Sequence, residues 1–470
     1  KPSIMNIHIK SILGAIAFSL LFYSKSFGLN VVLISILVTI ALLTAGKQVR
    51  FKWVYAIPYL FTGIMVFIDP TGFHLFVHII ALLVLIGKSV AEKSSIYISA
   101  FTGLMNIAVA ALVNFVDSQK SPSKERKAVS PQVLNYLKGA LIAVVLLVLF
   151  TLLYRNANPV FDGLISDIDL SFISMPWLLC TLLGYVFFLN LLRPFQPNEL
   201  IAFDGQQQNE LQKPETPFSA SLLPRLKSEH TIGSMVFATL NLLLVFFLVT
   251  DFIYLMNPEV ANNAEYSNAV HQGVYALMFS IVVAIAIILF FFRGNLNFYA
   301  DNKLLKRLTY GWIVLNIILV VFTGYKNALY VEALGLTYKR IGVFVYLLLT
   351  VIGLVTAYLK VSQIKSFVYL LRTNFAVWFV FLILSSGVPW DKTITSYNLQ
   401  HIENPDLSYL IQLGDSSLEQ LYAYSKKRDN KLILGQELDI RNRYNEFLEL
   451  QEAKTWQEFT LHQFTKNTQN

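Results

Sequence analysis

The sequence predicts an all-α polytopic transmembrane helical bundle of eleven or twelve spans, with a small helical soluble domain at its C-terminus. Three observations predict it. Of 470 residues, 55% are hydrophobic and only 14% are charged, against roughly 25% charged in an ordinary soluble domain. Charge-free apolar stretches recur along the first 387 residues. The charge is also unevenly placed, with 28 Lys/Arg and 17 Asp/Glu in residues 1–387 but 9 and 12 in residues 388–470. The tail thus has the composition of a soluble protein and the rest does not. A soluble globular core, a disordered polymer and a disulfide-stapled module are excluded, the last because Cys180 is the single cysteine.

A helix crossing about 30 Å of hydrocarbon needs about 20 largely apolar residues. The stretches without Asp, Glu, Lys or Arg are 11–24, 26–46, 53–68, 70–87, 94–116, 139–154, 170–192, 230–250, 266–292, 308–325, 341–359 and 373–390. The first is short and follows Lys10, as a signal peptide would. No small-residue cleavage pattern comes after it and a second apolar run begins almost at once, so it reads as a retained span. The organisation expected is transmembrane helices over 1–116, a polar linker over 117–134, and a helix pair with an outer amphipathic loop over 135–192. A second linker follows over 193–230, then transmembrane helices over 231–387 and the soluble tail over 388–470. No internal repeat is visible at a fixed period.

Loop charges orient the spans only if one stretch does not cross. Lys47, Arg50 and Lys52, then Lys88 and Lys93, put the loops after the second and fourth stretches inside. The later basic loops follow the fifth, seventh, ninth and eleventh stretches, which is the opposite parity. A re-entrant or interfacial helix over 94–116, which contains Thr102, Gly103, Asn106 and Asn114, reconciles them. The N-terminus is then expected inside and the tail outside. In the tail, Pro405 and Asp406 open a helical run, Ser416 and Glu419 have capping-box spacing, and a further helix runs from Glu437 through Gln451 towards Trp456 and Phe459.

Ionisable groups inside a membrane are functional candidates by default. Asp251, at the end of an apolar helix, reads as a proton or cation site or as an interfacial carboxylate ahead of Asn257-Pro258. His271, one turn into the next span after Glu265 and Tyr266, reads as a relay group or as an interhelical hydrogen-bonding histidine. His74 and His78 share a helix face at i, i+4 spacing but lack a third ligand, so a metal site there is weak. His401 and Asp406 resemble the histidine–carboxylate spacing of glycerolipid acyltransferases, without the later phosphate-binding elements. No nucleotide loop, serine elbow or cysteine cluster is present. The basic loops are dispersed and suit anionic lipid rather than nucleic acid.

Several strings carry a resemblance. Ala157-Asn158-Pro159-Val160-Phe161, Glu265-Tyr266 with Val270-His271-Gln272-Gly273, Tyr330 to Thr337 with Arg340, and Asp406-Leu407-Ser408-Tyr409-Leu410 resemble an uncharacterised family of bacterial polytopic membrane proteins, catalogued only as a domain of unknown function. The resemblance implies a shared fold. Relatives usually have Asp at the place of Asn158 and favour Arg at that of His271. The resemblance also implies a multi-pass protein of a bacterial inner membrane, with the tail then extracytoplasmic. On the topology above all these strings fall on the outer face, where Glu265, Tyr266, Glu332 and Arg340 are expected to form a packing or recognition network.

The functional expectation is a non-enzymatic scaffold or signal-coupling protein that binds an envelope or membrane protein through its outer loops and tail, embedded in lipid and without a cofactor. The alternatives are a secondary transporter, with Asn106, Asn190, Asn241 and Asn316 lining a polar cavity, and a membrane enzyme on a lipid-linked substrate using Asp162 or Asp167 with Arg155.

Overall fold

The computed structural model describes residues 4–46, 49–120, 174–214, 218–219, 221–256, 264–427 and 434–461, and between them residues 139, 143, 146, 150, 151, 153–155 and 157–166. Every regular element among these is a helix, apart from an isolated bridge between Glu210 and Lys365. In chain order they are α1 (Ile4–Phe22), α2 (Leu29–Leu43), α3 (Trp53–Ile68), α4 (Gly72–Val90), α5 (Ile96–Lys120), α6 (Pro159–Ser166), α7 (Met175–Leu192), α8 (Asn198–Gln206) and α9 (Leu222–Leu255). There follow α10 (Ala264–Phe291), α11 (Lys303–Leu334), α12 (Tyr338–Ser362), α13 (Phe367–Ser385), α14 (Trp390–His401), α15 (Leu407–Ile411), α16 (Leu418–Ser425) and α17 (Leu434–Ala453). Seven of the described helices are long and apolar enough to cross a membrane, and four shorter apolar ones accompany them: Asn6–Phe22, Leu29–Leu43, Trp53–Ile68 and Tyr275–Phe291. The protein is an all-α, multi-pass membrane protein.

Local chemistry sets the helix starts. Thr71, Ser174, Thr337, Ser366 and Asp406 each accept a backbone N–H from the first turn of α4, α7, α12, α13 and α15. The Asn158-Pro159 string is of the same kind. Asn158 Oδ1 accepts the N–H groups of Val160 at 2.9 Å and Phe161 at 3.3 Å, with Pro159 as the first residue of α6. An aspartate at that place would cap equally well. Phe161 meets the edge of Tyr154.

The helices form two cores. Leu21, Val38, Leu42, Tyr59, Leu85 and Phe188 belong to the first, built from α1–α4 and α7. Phe237, Ile281, Ile288, Leu305, Leu319 and Leu354 belong to the second, built from α9–α12. Helix α13 packs on α12 and also touches α4 and α5. A third core, of Ile394, Leu407, Leu410, Leu413, Leu421 and Ile440, lies in the tail, with Leu336 and Ile341 from the α11–α12 junction packed against it.

Basic groups collect at the end opposite the tail. There Arg50 and Lys52 pair with Glu92, Lys365 pairs with Glu210, and Arg372 pairs with Asp204. Helix α5 starts at this end, where Ser95 N–H and Oγ bind Asp204 of α8. It packs so closely on the last turns of α4 that a Cβ at Gly87 would sit 1.8 Å from Ser99 O, and one at Gly103 2.0 Å from Leu83 O. Further along, Asn106 bonds both Phe195 N and Phe195 O, and Asn114 donates to Arg193 O, just past the end of α7. Asn190 of α7 inserts into the helix itself, accepting from Ala111 N at 2.7 Å and donating to Ile107 O at 2.8 Å. Those two backbone groups are i, i−4 neighbours on α5, so the Asn190 amide bridges one turn of the helix. Helix α5 thus begins at the basic end, runs along α4 as far as Leu83, and reaches Arg193 O beyond α7 through Asn114.

The tail differs from the sequence expectation in two places. The Ser416–Glu419 capping box does not form: Ser416 Oγ has no hydrogen-bond partner, and α16 starts after a 3-10 turn over Asp415–Ser417. The capping box is made instead by Thr455 and Glu458, so Trp456–Glu458 is a separate 3-10 turn and not a continuation of α17.

Candidate functional site

Three anchorages fix the tail to the membrane helices at one end of the molecule. Asn398 of α14 clasps the backbone of Leu336, accepting from its N–H at 2.6 Å and donating to its C=O at 2.9 Å. Tyr338 OH donates to Asp391 at 2.7 Å while Tyr338 N–H donates to Tyr409 OH at 3.0 Å. Beside them, the imidazole of His74 in α4 reaches Ser386 O at the end of α13, at 3.0 Å, and joins two membrane helices. At the far end of the tail, Glu458 accepts from Ser26 N and Ser26 Oγ, both at 2.9 Å, and Leu29 N–H donates to Phe459 O at 2.8 Å. Burial alone would raise the Glu458 carboxyl, but these bonds from Ser26 and those from Thr455 outweigh it and hold it at about 2.

Beneath this tail lies a cleft of about 620 Å³ between the α3–α4 turn and α14–α15. Asp69 ends α3, Pro70 stops the helix, and Thr71 caps α4, so the chain reverses within three residues and leaves Asp69 facing the cleft. Asp69 is 5% exposed and Asp391, in the first turn of α14, is 3% exposed. The two carboxylates differ in their partners. Asp391 has both oxygens engaged, one by Tyr338 OH and the other by Gly414 N–H at 3.1 Å. Asp69 Oδ2 is enclosed and accepts no hydrogen bond; His74 Nδ1 lies 3.9 Å away, on an imidazole whose burial favours the neutral form. Burial first, then the negative charges of Asp391 and Asp415, push the Asp69 carboxyl up to about 6, against a pull downward from Ser416.

The sign of the resulting pH dependence follows. A carboxyl whose folded value lies above its unfolded value binds more protons in the native state between about 3.8 and about 6. Its penalty is absent below that window and complete above it. Asp69→Asn is expected to raise the thermal stability of the solubilised protein above pH 6 and leave it unchanged near pH 3.5. Equal curves for the two proteins across this range would remove Asp69 as the buried titrating group.

The residues singled out from sequence are dispersed. Asp251 of α9 forms a buried ion pair with Lys326 of α11, the partner that sequence reading missed, while Asp251 Oδ2 stays without a hydrogen bond. His74 and His78 face different partners, His78 lying between Thr62 Oγ1 at 3.0 Å and Ser35 Oγ at 3.4 Å and stacked on Tyr59. Among the described residues no three His, Cys, Asp or Glu are grouped to hold a metal ion. Glu332 is exposed and, among the described residues, forms no ion pair with Arg340. Arg340 instead donates to Leu334 O at 2.9 Å and to Gly335 O, and lies over the Tyr330 ring. The side chains of Glu265, Tyr266, His271 and Asp162, and all of Asp167, lie outside the described residues. His401 bonds Tyr397 O and stacks on its ring, whereas Asp406 caps α15, so the two do not form a catalytic pair. Asn106, Asn190, Asn241 and Asn316 are each bonded to backbone carbonyls, which makes them packing pegs in this structure.

An all-α membrane bundle with a soluble cap over one end is the class that fold and site define. The model of the family described as "Domain of unknown function (DUF4153)" matches residues 11–424, and the chain belongs to that family. No curated protein and no solved structure matches it.

Proposed function

We propose that the protein is a non-enzymatic coupling or scaffold component of the bacterial inner membrane, with the tail on the extracytoplasmic side as a docking platform for an envelope protein. The observation that carries this reading is that the tail is anchored to loops from both helix cores. Glu458 and Phe459 hold the α1–α2 turn of the first core, and Asn398 holds the α11–α12 turn of the second. A load on the tail is therefore transmitted to both helix groups. The basic residues at the opposite end support the orientation. The outward side of α17 presents Leu438 and Leu450, each more than half exposed, for contact.

The test places a photo-crosslinking residue at Leu438 of the full-length protein in its native membrane, with a topology reporter fused to the tail in a parallel strain. One envelope protein captured at fixed stoichiometry, with the reporter outside, is the expected result. A reporter inside, or no stoichiometric adduct, would overturn the reading.

A second reading, a secondary transporter, is favoured by the Asp251–Lys326 pair, because buried intramembrane charges mark ion or proton pathways. Uptake in proteoliposomes that is unchanged by Asp251→Asn would dismiss it.

A further inference from the structure

We infer that the cleft between the α3–α4 turn and the tail binds an organic cation, a group of the ammonium or guanidinium type. The inference goes beyond the coupling role and stands without it. Three features carry it. The cleft, at about 620 Å³, has the size of a small-ligand site. Asp69, nineteen-twentieths buried, lines it with an enclosed oxygen that accepts no hydrogen bond. The Ser416 hydroxyl stands near enough to pull this carboxyl downward but does not close a hydrogen bond to the buried oxygen, and a ligand N–H supplies that bond. Finally, Phe73, Tyr338 and Tyr409 are also among its lining residues, and aromatic rings beside a carboxylate are the setting in which ammonium and guanidinium groups are held.

The surrounding charges agree with this sign. Asp69, Asp391 and Asp415 line the cleft. Of the nearby basic groups, Arg443 is paired with Asp415, Lys454 also faces Asp415, and Arg340 is bonded to the carbonyls of Leu334 and Gly335. Burial keeps the His74 imidazole, 3.9 Å from Asp69, uncharged at neutral pH. Asp391 is held by Tyr338 and Gly414 and so supplies fixed negative charge, while Asp69 remains able to accept. With its carboxyl at about 6, Asp69 is ionised at neutral pH and increasingly protonated below it, so cation binding weakens on acidification.

The experiment uses the full-length protein in nanodiscs, titrated calorimetrically with agmatine, with spermidine, and with a short peptide alternating lysine and glycine. Carbodiimide labelling of Asp69 in the unaltered protein reads occupancy directly. Binding of agmatine or spermidine that shields Asp69 from labelling, weakens at least tenfold from pH 7.5 to pH 5, and weakens at least tenfold in Asp69→Asn is the expected result. It identifies a free amine as the ligand. The same behaviour seen only with the lysine peptide assigns the cation to a polypeptide side chain and supports the same site. No binding by any of the three, affinity unchanged in Asp69→Asn, or shielding by calcium alone would each overturn the inference. None of these outcomes depends on whether α17 docks a partner.

Discussion

Truncating Asp251 to alanine is expected to destabilise the second helix core by about 3–5 kcal/mol, because it takes the carboxylate partner from the buried ammonium of Lys326. Asp251 and Lys326 are 7% and 9% exposed and lie on α9 and α11, which pack directly on one another. The attraction between the two charges offsets their desolvation only while both are present. Joint replacement, Asp251→Leu with Lys326→Met, is accordingly expected to recover most of the loss. Unfolding of the solubilised protein by denaturing detergent measures both variants. A single variant as stable as the parent, or a double variant no better than the single, would mean that the pair is not a structural element of the core.

The second large effect is at the clasp between tail and membrane. Gly335 ends α11 with φ 85° and ψ 174°, a region open essentially to glycine alone. A Cβ there would stand 2.4 Å from Asn398 Oδ1 and 3.2 Å from Ile402 Cγ1. Gly335→Ala thus combines backbone strain of about 1–3 kcal/mol with loss of the two Asn398 bonds to Leu336, together about 3–5 kcal/mol against the docked tail. Faster hydrogen exchange at the Leu336 amide and throughout α14, with the helix cores unchanged, is the expected outcome. Exchange unchanged at Leu336 would show that this clasp does not hold the tail.

The membrane architecture was legible because span length and charge exclusion act on long segments. Over 94–116 the conflict of parity among basic loops suggested a stretch that does not cross, yet α5 is long and apolar enough to span. Pairings were not legible. Lys326 sits one residue beyond a charge-free stretch and reads as a flanking residue, though α11 continues to Leu334 and carries it inside. Asp69 reads as the end of a span, and only the tail folding over it encloses it. Asp391 and Asn398 lie in α14, which directly follows the last span, and nothing local shows that one faces Tyr338 and the other the turn at Gly335. The string from Tyr330 to Arg340 was recognisable, but its logic is backbone geometry: Gly335 turns the chain, Thr337 caps α12, and Arg340 ties off the carbonyls of Leu334 and Gly335. Ser416–Glu419 and Thr455–Glu458 have the same spacing, and only the second has a helical turn beginning at the right residue.

Asp69 at the end of α3 and Tyr338 at the start of α12 line one cleft, so these two helices are level at the tail end. Helix α3 has 16 residues and α12 has 25, which at 1.5 Å per residue makes them about 24 Å and about 37 Å long. The ends of α12 are polar, with Lys339 and Arg340 at one and Lys360 at the other. The charge-free stretches 53–68 and 341–359 thus differ by three residues, or about 4–5 Å, which α12 takes up by leaning or the hydrocarbon by changing depth across one molecule. Lipids beside α2 and α3 are then compressed relative to those beside α12. A thin bilayer relieves that compression and a thick one aggravates it, so the acyl-chain length of the host membrane becomes a variable in this protein's stability.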